Sequence, residues 1–178
     1  INVDAMNAYC EGYKAYLDAG KTERLCAAET IRLAEAAGYR PFVRGMEVKA
    51  GDKFYICHRG KAVMLAHIGT KSLAEGVQIS AAHIDSPRLD LKPNPLYESD
   101  ELAFLKTHYY GGLRKYQWVA IPLELHGVIA LKSGEVVRVS VGNGAGDPLF
   151  TIDDLLPHLG GHQANKKVAE FVPAENLN

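Results

Sequence analysis

Among the residues able to do chemistry, His83 and Asp85 in "AAHIDSPRLDLKP" (81–93) come first. Side chains two apart on an extended segment project to one side, so both can face a single cleft. A neutral imidazole is a common zinc ligand, and a carboxylate on its other nitrogen fixes the tautomer and raises ring basicity. His-x-Asp therefore suits a metal ligand with its supporting group. The same spacing also closes an ordinary capped turn, and no second cluster of His, Asp and Glu stands at ligand-like spacing, although a catalytic zinc usually takes three protein ligands.

His158 and His162 in "PHLGGH" are four apart and could pair on a helix face. Gly160 and Gly161 between them oppose a stable helix, so exposed loop histidines are the simpler reading. Asp153 and Asp154 read as helix-start acids rather than catalytic carboxylates. "YYGG" (109–112) is a turn that lets backbone approach a neighbouring element, and no Gly-Lys-Ser/Thr follows to make a phosphate loop. "GNGAGDP" (142–148) is a flexible loop whose glycines lack dinucleotide-binding spacing. Trp118 reads as packing.

The elements that must position these groups follow from periodicity. Met6, Tyr9, Cys10, Tyr13, Tyr16 and Leu17 recur at helical spacing and end at Gly20. A second helix opens on Thr22, which can cap a free backbone N–H, and ends at Gly38; its inner face carries Ala27, Ile31 and Ala34. The period then changes. "KFYICHRGKAVMLAHIG" predicts a hairpin around Arg59-Gly60, and "GVQISAAH" a strand buried on both faces. "AFLKTHYY", "YQWVAIPLELH" and a hairpin around Ser133-Gly134 supply further strands, and "QANKKVAEF" has weak helical spacing. Prolines and acids in "KPNPLYESDE" (92–101) predict a loop, and with it a boundary between residues 1–95 and 96–178.

The chain of 178 residues, 47% hydrophobic, is long enough for a sizeable core. A formal net charge of -1 supplies no field for nucleic acid or anionic lipid. Without a signal-peptide layout or a membrane-spanning apolar run, the expected location is cytoplasmic. Cys10, Cys26 and Cys57 lack Cys-x-x-Cys spacing and read as reduced thiols packed like small hydrophobes. The opening on Ile1 suggests a piece of something longer.

"HIDSPRLDLKPNPLYE" and "YYGGLRKYQWVAIPLELHG", with "YLDAGKTER" and "LLPHLGGHQANKK", resemble the aspartyl aminopeptidase family of dinuclear zinc exopeptidases, closest to its shorter bacterial branch. The resemblance implies an α/β fold: here, the N-terminal part of the catalytic domain, a sheet flanked by helices, followed by part of a β-rich inserted domain used for oligomer contacts and for covering the active site. It implies that His83 is the first zinc ligand and Asp85 the acidic residue supporting it. A histidine of the "PHL" loop, His158 or His162, would reach a neighbouring subunit's active site and contact substrate. Two zinc ions would activate water to hydrolyse the first peptide bond of a peptide in a homo-oligomer. The family's other ligands and its glutamate base have no match here, so the chain alone is expected to be inactive. A non-catalytic fragment or assembly module is the alternative.

Overall fold

A computed structural model describes residues 2–178. The chain combines helices and strands and divides into two compact units, residues 1–86 and 87–178.

In the first unit, helix α1 (Val3–Ala19) starts where the Asn2 side chain accepts from the Ala5 N–H. Helix α2 (Glu23–Ala36) starts where Thr22 Oγ1 accepts from the Leu25 N–H, as its sequence predicts. Gly20 lies between them for a reason of space. A Cβ there would stand 2.6 Å from Cys26 Sγ, which donates to the Gly20 carbonyl at 3.1 Å. The Tyr16 hydroxyl and Thr30 Oγ1 join the two helices at 3.0 Å. Ala27 and Ala34 are buried as expected, whereas Met6, Tyr9, Tyr13 and Leu17 leave the apolar stripe of α1 exposed.

A three-stranded sheet packs against α2. Strand β1 (Arg40–Pro41) runs parallel to β2 (Lys53–His58), which pairs antiparallel with β3 (Ala62–His67). Arg59 and Gly60 both take positive φ, 53° and 67°, in a three-residue connection, 59–61, closed by the Lys61 N–H on the His58 carbonyl at 3.0 Å. The turn is held from α2, since Arg24 donates to the Arg59 carbonyl at 3.2 Å and Glu23 pairs with Lys61 at 3.2 Å. Phe54 and Tyr55 enter the core, and the Tyr55 hydroxyl donates to Glu35 at 2.7 Å. Of the cysteines only Cys26 is buried; Cys10 and Cys57 are exposed, because neither the outer side of α1 nor that end of β2 is covered.

The run 76–83 forms no strand. Val77 and Ile79 are exposed, the latter by 80%, because no neighbouring strand supplies a ladder among the described residues.

In the second unit, β4 (Arg88–Ser99) and β5 (Leu102–Tyr110) form an antiparallel pair across the stretch whose prolines predicted a loop. The ladder breaks between Leu91 and Leu96, where Lys92 to Pro95 face Lys106 alone. This bulge spares both prolines a ladder N–H they do not have. The strands turn at Asp100 and Glu101, both at positive φ. Gly111 takes φ 80°, the turn conformation that favours glycine, and a Cβ there would make only ordinary contact with Pro87 at 3.5 Å.

Strands β6 (Leu125–Ala130) and β7 (Val136–Val141) form the expected second hairpin, with Gly134 at φ 89° in its turn. The "YQWVAIPLELH" stretch yields only the start of β6, preceded by a short helical turn at Lys115–Gln117 and one bridge from Leu123 to Phe150. Ile152, Val172 and Leu177 make a small core on which Trp118, Tyr116 and Phe171 pack. The Thr107 hydroxyl donates to the Leu177 carbonyl, tying residues after the short helix α3 (Val168–Phe171) to β5.

Candidate metal and substrate site

The segment that leads to His83, residues 76–83, is exposed, and the histidine is oriented from two residues away. Its Nδ1 lies 2.9 Å from the Asp85 carbonyl and 3.1 Å from Asp85 Oδ1. Both partners are acceptors, so Nδ1 carries a proton, and in the neutral ring it is Nε2 that keeps a lone pair. The side chain of His83 is 84% exposed and that of Asp85 41%. The local turn is closed by this contact between His83 and Asp85.

The residues fit a metal as one ligand with its orienting carboxylate. Among the described residues no group of three or more His, Cys, Asp and Glu is placed to hold an ion. A catalytic zinc with three protein ligands needs further donors.

His158 and His162 are exposed in a series of turns, not on a helix. Backbone bonds from Leu159 and Gly160 to Leu156, and from Gln163 to Gly160, replace helical hydrogen bonding. Gly160 packs closely there, since a Cβ would stand 3.0 Å from Gln163 Oε1. No helix begins at Asp153 or Asp154; Asp154 instead accepts from the Leu155 N–H at 2.8 Å.

Two polar constellations escape a reading of the sequence. The ring of His126, its side chain 10% exposed, bonds Glu124 through Nε2 at 2.7 Å and Ser140 through Nδ1 at 3.2 Å. Glu124 and His126 are two apart where β6 begins, a visible signal, but Ser140 joins them only through the β6–β7 register. In the 142–148 loop Asp147 Oδ2 accepts from Gly142 and Gly144, each at 2.9 Å. These bonds, the Gly142 N–H first, hold the Asp147 carboxyl below its ordinary pKa. The loop is bridged rather than free.

Comparison with known proteins agrees with the resemblance in the sequence. Residues 16–177 match the family described as aminopeptidase I zinc metalloproteases, M18. M18 family aminopeptidase 1 of Clostridium acetobutylicum is 48% identical over 170 residues, covering 93% of this chain and 37% of that protein. The crystal structure of an M18 aminopeptidase from Thermotoga maritima superposes with a TM-score of 0.88 at 39% identity, over 98% of this chain and 38% of that one. That of aminopeptidase I from Clostridium acetobutylicum gives 0.80 at 47% identity, over 93% and 37%. The chain therefore spans less than two fifths of the length of these relatives.

Proposed function

Because the chain belongs to the M18 family of zinc metalloprotease aminopeptidases, we propose that it serves hydrolysis of the first peptide bond of peptide substrates and supplies part of a two-zinc active site. The observation that carries this reading is the exposed His83 ring, held at Nδ1 by Asp85 so that Nε2 keeps the lone pair of the neutral ring. His83 would be a zinc ligand. Asp85 would fix its tautomer and keep the ring aimed, which raises the basicity of the coordinating nitrogen. Bound there, zinc would polarise a peptide carbonyl and acidify water. The remaining ligands and the general base would come from residues outside these 178.

In the same reading His158 or His162 contacts substrate from a neighbouring subunit of a cytoplasmic homo-oligomer. Their exposure in the second unit supports this role. No helix among the described residues is long and apolar enough to cross a membrane. The division into a catalytic part, 1–95, and an inserted part, 96–178, belongs to the proposal as well. Limited proteolysis that cuts at 86–87 rather than 95–96 would move that boundary.

The test is native mass and zinc content of the purified particle, with turnover of unblocked dipeptides. A subunit well above 19.4 kDa, or a companion segment, with zinc and activity supports the proposal. Activity that persists after complete zinc removal contradicts it.

A further inference from the structure

The β7–Phe150 loop contains a chemical liability together with a group placed to control it. Asn143-Gly144 is the only Asn-Gly step in the sequence. Both residues are exposed. In such a step the glycine nitrogen can bond to the asparagine Cγ, and no Cβ hinders its approach. The nitrogen's proton and the side-chain NH2 leave together as ammonia, giving a five-membered imide. Water then opens either carbonyl, to aspartate or isoaspartate, with no change of oxidation state.

In this loop the attacking nitrogen is occupied. The Gly144 N–H donates to Asp147 Oδ2 at 2.9 Å, and the Gly142 N–H donates to the same oxygen at 2.9 Å. Glycine leaves room for this bridge, since a Cβ at 144 would stand 3.0 Å from that oxygen and 3.2 Å from Asp147 Cγ. The residue that makes the step reactive is thus also one that the bridge packs closely against. We infer that Asn143-Gly144 is a latent imide-forming modification site and that Asp147 restrains it. To attack, Gly144 must turn its nitrogen from Asp147 toward Cγ and give up its proton. Negative charge growing on that nitrogen is opposed by the adjacent carboxylate.

Conversion would undo the bridge that delays it. A carboxylate at 143 repels Asp147, and an isoaspartyl link adds a methylene to the backbone between Gly142 and Gly144. Gly142 leaves little slack for this, since a Cβ on it would meet the Leu123 carbonyl and Glu124 Cα at 3.1 Å.

The experiment incubates the folded protein in mildly alkaline buffer and follows the 142–148 peptide by mass and by isoaspartate detection. The urea-unfolded protein sets the unrestrained rate. Wild type should convert several-fold more slowly than its unfolded form, and Asp147→Ala should approach the unfolded rate. Asp147→Asn, which keeps the shape and loses the charge, should also accelerate conversion. It adds no new reactive step, because Pro148 has no N–H with which to close a ring. Asn143→Gln should abolish the product. Folded wild type converting as fast as unfolded protein, or Asp147→Asn converting at the wild-type rate, would overturn the restraint. No imide product from the unfolded protein would overturn the site.

Discussion

Residues 53–67 and 77–86 are both rich in apolar side chains, yet they end in opposite conditions. The first closes its own ladder through Arg59-Gly60, places Phe54 and Tyr55 in the core and is gripped by Arg24, Glu23 and Glu35 of α2. The second has no strand partner among the described residues, exposes Val77 and Ile79, and carries the outward-facing imidazole of His83. A hairpin finds its neighbour a turn away in sequence, whereas a central strand depends on segments far along the chain. The sealed region should therefore answer for stability and the open one for function.

The largest expected effect is in the open region. In the intact enzyme, His83→Ala should lower kcat by at least about 100-fold and reduce bound zinc, with little change in thermal unfolding. A large loss of stability with zinc retained would erase the contrast. Asp85→Asn should cost roughly 10–100-fold in zinc affinity or activity, because the ring loses the charge that orients it. Unchanged zinc binding and turnover would remove Asp85 from the site.

Around the sealed region, first at the junction of α1 and α2, the direction reverses. Gly20→Ala forces a Cβ against Cys26 Sγ and the Tyr16 carbonyl and should destabilise by about 1–3 kcal/mol, measured by denaturant unfolding, with zinc content intact. A smaller effect concerns pH. The hydrogen bond to Glu35 holds the Tyr55 phenol above its ordinary pKa. Its contribution to stability is complete below the unfolded value of about 10 and disappears as pH rises through the folded one. Tyr55→Phe should flatten the alkaline fall in stability, and an unchanged profile would assign that fall elsewhere.

These regions also mark what can be read from sequence. The Thr22 cap and the Gly60 and Gly134 turns were legible because their determinants are local. The strand at 76–83 was expected from composition, but a ladder needs a partner as well as a pattern. Residues 92–101 erred the other way: Pro93 and Pro95 suggest a loop until the register break excuses them from pairing. At the candidate site, His83 and Asp85 were legible because they are two apart, whereas the His126–Ser140 contact spans a hairpin and leaves no trace in local spacing. Asp147 was missed because the glycines around it were read for dinucleotide-binding spacing, while the N–H groups of Gly142 and Gly144 turn inward to a carboxylate of the same loop.

The most direct test of the central claim is an anomalous-difference map at the zinc edge from crystals of the intact enzyme. A zinc peak is expected about 2.0–2.1 Å from His83 Nε2, with Nδ1 still bonded to Asp85. Zinc bound at Nδ1, or zinc sites that leave His83 untouched in an active enzyme, would contradict it.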